Sequence, residues 1–416
     1  MKLQSTLLLL FFILIACNIQ AQLAVNYLTN HAADLSAGAI KDDKIIGPDF
    51  YKNQLFFAGE IHGIKRGQDV DLALLTLLNQ KIKLKTYVAE VDFSKAYFLN
   101  QYLLTGDESL IDAVFKDWIE QDAQWANTDF QEKIRKIRTY NLTLTTGQRI
   151  HFEGIDQIHS PLLVAKYFKE ILKDDHFKNS RLSFDPLLLA LEMKNDSLII
   201  QTANALISKL KDEKSAQMND IFFALKNCTL LKTPREAVMH SNFKELFNIR
   251  HWEKEKLYSF MGFGHILQSK TNDDKSIFLA YRLENDPSLP LKGKIVSIAM
   301  LYVDSRMSMP SAGLPVQFQD KGKRFTAFSQ YNHDGPLIKL DGIEDFKAVT
   351  KKNSITLFDL HATGSPYLTK VFDIQYAEIM PKSQRLYFNE KGKFITDYFQ
   401  YVVLIRNSAE THMLLP

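Results

Sequence analysis

Residues 54–63 read Gln-Leu-Phe-Phe-Ala-Gly-Glu-Ile-His-Gly, and this stretch decides the fold. Gln54 to Ala58 is a short run of large apolar residues that ends in a glycine turn. A short continuous apolar run bounded by turn residues is the pattern of a strand buried on both faces, as in a sheet with helices packed on each side. Glu60 and His62 follow at once, flanked by Gly59 and Gly63. The same grammar recurs downstream. Thr86 to Val91 is a second strand with Glu90 near its end and Asp92 beyond it. Arg149 to Ile155 is a third, running into Asp156 and then His159. Lys256 to Met261 is another, running into Gly262-Phe263-Gly264-His265.

Between these strands the apolar residues fall at helical spacing. Val70 to Leu78 and Phe93 to Leu104 read as helices, the second capped by Asp92 or Ser94. Trp118 to Tyr140 reads as mostly helical. From about residue 160 to 255 the helical period continues without a clear strand, which predicts a helical insertion. Strands return at Lys294 to Val303, Ser354 to Leu360 and Tyr398 to Ile405. Ser305 to Gly335 is polar and turn-rich, a candidate surface loop over the site. Alternating strands and helices predict an α/β fold with a central, largely parallel or mixed sheet flanked by helices. In such sheets ligands bind outside the carboxyl ends of the strands. If the early strands are parallel neighbours, Glu60, His62, Glu90, Asp156 and His265 meet on one edge. Two imidazoles and several carboxylates suit proton transfer to and from water, or a metal.

Composition narrows the class. The chain has 416 residues, 46% hydrophobic and 24% charged, with 29 Phe and 16 Tyr, enough for a large core. The net charge of +3, without any run of five basic residues, argues against nucleic acid as a partner. Cys17 and Cys228 are the only cysteines, which excludes a cysteine zinc site and a disulfide framework. G-x-S-x-G, H-E-x-x-H, P-loop and C-x-x-C motifs are absent, and Leu267 stands where a dinucleotide fingerprint needs its third glycine.

The N-terminus has the form of an export signal. Lys2 precedes an apolar run from Thr6 to Ala16, too short to span a bilayer. Two cleavage readings compete: Ile19-Gln20-Ala21 before Gln22 resembles a signal peptidase site, and Leu14-Ile15-Ala16-Cys17 resembles a lipobox. The expectation is a signal peptide over residues 1–21 and one α/β domain over 22–416. The mature protein is then periplasmic, secreted or lipid-anchored, touching a membrane only through an anchor at Cys17.

The quoted blocks, in order, resemble the erythromycin esterase-like family, within the larger group that includes ChaN-type haem-binding lipoproteins and TIKI-type metalloproteases. The resemblance rests on Gly59-Glu60-Ile61-His62-Gly63, then Ala89-Glu90, then Asn100, Tyr102 and Thr105-Gly106. It continues through Tyr140-Asn141, Phe152 to Asp156, Arg235-Glu236 to Met239 and Asn242, Phe260 to His265, and the final strand. Two departures stand out. One residue rather than two separates Glu60 from His62, and Gly262 occupies the place of a first histidine in the later motif.

The resemblance implies a hydrolase that cleaves an ester, lactone or related bond of a small molecule, with His62 as general base. Glu60 or Glu90 would orient the imidazole, and His265 would act as acid or hold the carbonyl. Arg66, Arg235, Asp156 and Asn100 are the expected substrate-binding residues, and no cofactor is expected. Two alternatives use the same residues. One is a metal-dependent hydrolase or protease holding a divalent ion on Glu60, His62, Glu90 and His265. The other is a small-ligand binder that has lost catalysis.

Overall fold

The computed structural model describes residues 22–35, 45–174, 181–213 and 216–415. The expected signal peptide, with Cys17 and both cleavage motifs, lies outside them. No described helix is long and apolar enough to cross a membrane.

Among the described residues twelve strands form in chain order: β1 (Ala32–Asp34), β2 (Leu55–Glu60), β3 (Thr86–Ala89), β4 (His151–Gly154), β5 (Leu257–Gly262), β6 (Ile295–Val303), β7 (Met307–Pro310), β8 (Phe325–Phe328), β9 (Ile338–Leu340), β10 (Ile355–Asp359), β11 (Ile374–Tyr376) and β12 (Tyr401–Arg406). Eight build the central sheet in the order β1-β10-β12-β6-β2-β5-β3-β4. The run from β12 to β4 is parallel throughout. On the other side β10 is antiparallel to β12, and β1 to β10. The fold is α/β with a mixed, mostly parallel sheet, and all seven expected strands lie in it. The eighth, β1, has only three residues and carries no periodic signal.

The centre of the sheet explains itself. Every residue of β2 and β6 is buried, so both faces are covered by helices and large apolar side chains fit at consecutive positions. The helix Lys65–Ile82 follows β2 and packs Val70, Leu74, Leu75 and Leu78 inward. Helix Phe93–Thr105 follows β3. Of the two candidate caps, Asp92 holds the position, accepting the backbone N–H groups of Ser94 and Lys95.

The stretch 118–140 is mostly helical, as expected, and divides between two helices, Glu108–Glu120 and Thr128–Leu142. Asn127 caps the second, accepting from the Phe130 N–H at 2.7 Å. A capping asparagine competes with the helical ladder and starts a new helix there. Residues 305–335 are not all loop, because β7 and β8 pair within them. Between β4 and β5 the described residues form five α-helices, Pro161–Ile171, Asp185–Glu192, Asp196–Leu210, Ala216–Thr229 and Arg235–Ile249.

Candidate active site at the carboxyl edge of the sheet

β2, β5, β3 and β4 are consecutive neighbours, so their carboxyl ends stand side by side. Glu60 is the last residue of β2, and its chain turns back through Gly63 at φ +87°. A side chain at Gly63 would meet the Ser308 carbonyl oxygen, and the Ser308 N–H donates to the Gly63 carbonyl at 2.9 Å. The β7 segment therefore clamps the turn that carries His62.

That turn folds His62 back on Glu60. His62 Nδ1 lies 2.9 Å from Glu60 Oε1, and the ring packs on Trp125 with centroids 4.1 Å apart. Gln68, one turn into the following helix, donates to Glu60 Oε2 at 3.4 Å. Donation of Nδ1–H to Glu60 leaves the Nε2 lone pair free. It faces Gly262 so closely that a Cβ added there would sit 3.2 Å from Nε2, and 3.6 Å from Cδ2 of His265. The absence of a side chain at Gly262 thus lets both imidazoles approach one point. Burial disfavours the His62 imidazolium. The Glu60 hydrogen bond and the Glu60 and Glu90 charges outweigh it, holding the pKa above the usual histidine value.

Glu90 ties three strand ends together. Its Oε2 accepts the Gly262 N–H at 2.7 Å, and its Oε1 accepts from Arg235 Nη2 at 2.6 Å and lies 3.2 Å from His265 Nε2. Burial raises its pKa, but the His265, His62 and Arg235 charges drive it far below the usual carboxylate range. Arg235 also spans Asp156 in a forked pair, Nε to Oδ1 at 2.8 Å and Nη2 to Oδ2 at 2.7 Å. Its Nη1 lies 3.4 Å from His265 Nε2, and the side chain remains 35% exposed. Asp156 is buried, which raises its pKa, yet His159 and Arg235 pull it below normal.

His265 sits between two carboxylates, with Nδ1 2.7 Å from Glu236 Oε1 and Nε2 beside Glu90. Burial opposes its charge, but Glu90 and Glu236 push its pKa up to about 10. A group that holds its proton this firmly is suited to electrostatic stabilisation.

Arg66 and Asn100 lie outside this cluster. Arg66 Nη1 donates to the carbonyls of Asn353 and Arg406, at 2.7 and 3.1 Å, on the far side of its helix. Asn100 brackets Phe152, donating to its carbonyl and accepting its N–H, both at 2.8 Å. Asn141 does the same for Ile150, and Asn242 donates to the Ile155 carbonyl at 2.9 Å. These asparagines clamp the two ends of β4, and Asn242 thereby docks the helix that delivers Arg235. Glu236, Trp125 and Gln68 join the site without having been singled out as contributors.

A cleft of about 220 Å³ opens beside Glu90, Asp156 and Arg235, walled by Trp118, Trp125, Lys95 and His159. Lys95 is buried between Asp92 and Asp117, at 2.9 and 3.0 Å. His62 Nδ1 faces Glu60, and both nitrogens of His265 face carboxylates. Each Glu90 oxygen is held by a cation or a backbone N–H. The guanidinium of Arg235 fills the place of a bridging cation. Among the described residues no group of three or more His, Cys, Asp or Glu converges as a metal cage.

No protein-family model matches the sequence, and no curated protein matches it significantly. Solved structures do. A protein from Bacillus cereus superposes with a TM-score of 0.65 at 15% identity, covering 95% of this chain and 99% of that one. A succinoglycan biosynthesis protein follows with 0.61 at 14%, covering 94% and 98%. A mutant of the erythromycin esterase EreC in its open conformation gives 0.59 at 12%, covering 92% and 98%. At these identities the relationship is one of fold.

Proposed function

We propose that this chain is an exported hydrolase that cleaves an ester, lactone or related carbonyl bond of a small molecule by activating water on His62. The observation that carries the reading is the Glu60–His62 pair at 2.9 Å, which leaves Nε2 as the free base, with the ring packed on Trp125 of the cleft wall. The structural likeness to an erythromycin esterase supports it as an analogy of fold.

In the first step His62 Nε2 takes a proton from water as the oxygen attacks the carbonyl carbon. Glu60 fixes the ring and stabilises the imidazolium that forms. Arg235 Nη1 and the His265 imidazolium stabilise the oxyanion. The tetrahedral intermediate then collapses, and His62 returns the proton to the leaving alcohol. Both charges on the stabilising side are present before substrate arrives, because Glu90, Asp156 and Glu236 hold Arg235 and His265 in place. Preorganised charge of this kind costs no rearrangement during the reaction.

The test is a panel of small esters and lactones assayed with the purified chain. Hydrolysis of at least one class that chelators leave unchanged supports the reading. Turnover that appears only with added divalent metal favours the metal-dependent alternative, and binding without turnover favours the ligand binder. Export is tested by the N-terminal residue of the mature protein, expected at Gln22 or at a modified Cys17.

A further inference from the structure

The sheet places His62, but not the indole it packs on. Trp125 lies between the helices Glu108–Glu120 and Thr128–Leu142, outside every strand, so no ladder of the sheet fixes its distance from the His62 turn. The two rings nevertheless meet with centroids 4.1 Å apart. Their backbones are joined by the segment that follows β12.

Residues 408–414 run along two stretches of chain in turn. Along the first, Ser408 Oγ accepts the Arg66 N–H and the Ala409 carbonyl accepts the Lys65 N–H, both at 3.0 Å. Glu410 then forms an antiparallel bridge with Ile64, and the Thr411 N–H donates to the Gly63 carbonyl at 2.9 Å. Along the second, the His412 carbonyl accepts the Thr128 N–H at 2.9 Å. Met413 forms an antiparallel bridge with Asn127, and the Leu414 N–H donates to the Ala126 carbonyl at 2.8 Å. Gly63 directly follows His62, and Ala126 directly follows Trp125. Neighbouring Cα atoms are about 3.8 Å apart, so each ring stands one residue from a backbone bond to the same segment.

β7 secures the segment at its middle. Ser308 Oγ donates to the Thr411 carbonyl at 2.6 Å, and the Ser308 N–H shares the Gly63 carbonyl with that of Thr411. Gln124, the residue before Trp125, donates to the Ser308 carbonyl at 2.6 Å. Ser308 and Thr411 are both buried, where a polar group that loses its partner has no water to replace it.

We infer that residues 408–414 form a positioning strap, which sets the His62 ring against Trp125 and so holds the imidazole that carries the free Nε2. The inference rests on the reading of His62 as the base and adds the residues that aim it. Its energetic sense is that a misplacement of about 1 Å at a reacting group can cost about 10²-fold in rate.

The test uses the full chain labelled with 5-fluorotryptophan and followed by ¹⁹F NMR, with Trp125→Phe to assign the Trp125 resonance. His62→Ala gives the position of that resonance without the imidazole. Thr411→Pro deletes the N–H that reaches Gly63, and Ser308→Ala deletes the hydroxyl that holds the Thr411 carbonyl without touching the strap's own sequence. In both, the Trp125 resonance is expected to move toward its position in His62→Ala. On an ester substrate kcat is expected to fall about tenfold with KM little changed. Leu415→Pro, at an exposed residue beyond the last bond, is expected to leave both readouts as in the wild type. Circular dichroism shows that each variant is folded. A Trp125 resonance that stays at its wild-type position in folded Ser308→Ala and Thr411→Pro proteins would overturn the strap, whatever the activity. A resonance that moves in a chain that hydrolyses no ester keeps the strap and removes the hydrolase reading.

Discussion

Glu60 and His62 stand two residues apart where the chain leaves β2, a spacing that puts both side chains on one face, and His62 Nδ1 lies on Glu60 just before the chain turns through Gly63 at φ +87°. Because Glu60 favours the protonated ring, the acid limb of kcat/KM should fall above the ordinary histidine value. Glu60→Gln removes that charge, so the limb should move to lower pH while kcat drops about tenfold or more. A pH profile of the two proteins checks this, and an unmoved limb would detach Glu60 from the base. Arg235→Lys is predicted to be nearly as damaging as Arg235→Ala in kcat/KM. An ammonium cannot hold Glu90 and Asp156 in a fork while presenting a further N–H to substrate. Steady-state kinetics on the two variants decides it. Much of this convergence was legible in the sequence, because acids and histidines that follow neighbouring parallel strands gather at one sheet edge. The residues that lie apart from the cluster show the limit of that reading. Arg66 follows the motif by four residues, yet its helix turns it toward Asn353 and Arg406. Sequence spacing reveals that a residue is near the edge, but not which way its helix faces.

Elements, rather than single side chains, hold the cluster in register. Asp92 illustrates this by doing two jobs. It caps helix Phe93–Thr105 and pairs with the buried Lys95, whose other partner is Asp117. Asp92→Ala should cost about 3 kcal/mol or more, since it removes a cap and strips a buried charge of one partner. Urea denaturation measures it, and a loss below about 1 kcal/mol would mean that water replaces the carboxylate. The cap itself was readable from sequence. The asparagine clamps of β4 were not, although Asn100, Asn141 and Asn242 all stood in the blocks that carried the family resemblance. Each satisfies backbone groups of a short strand from outside the sheet, a partnership set by tertiary approach across as many as 87 residues. The break of the 118–140 stretch was equally hidden. Its apolar spacing continues through Asn127, and only the cap geometry reveals a new helix start.

At the scale of the whole molecule, one sheet edge gathers two imidazoles, a guanidinium and four acids from five separate segments. Such a site couples stability to pH. The folded pKa of His265 lies near 10, against an ordinary value of 6.5. A raised folded pKa means that the group's contribution is complete below pH 6.5 and is lost as pH rises through 10. Urea midpoints should therefore fall between pH 6.5 and 10 more steeply in the wild type than in His265→Gln. Parallel slopes would show that His265 holds no extra proton in the fold. Edge assembly was the part of the architecture most open to sequence reading, because fully buried strands such as β2 and β6 are rich in large apolar residues. The sheet order was not, since β5 inserts between β2 and β3 only after about 170 intervening residues.

The central claim is that the strand ends converge to make His62 the base. Its most direct measurement is kcat/KM of His62→Ala on the best ester or lactone substrate, with circular dichroism to show that the fold is kept. The account predicts a loss of about 10²- to 10⁴-fold at unchanged structure. Wild-type activity in a folded His62→Ala protein would contradict it.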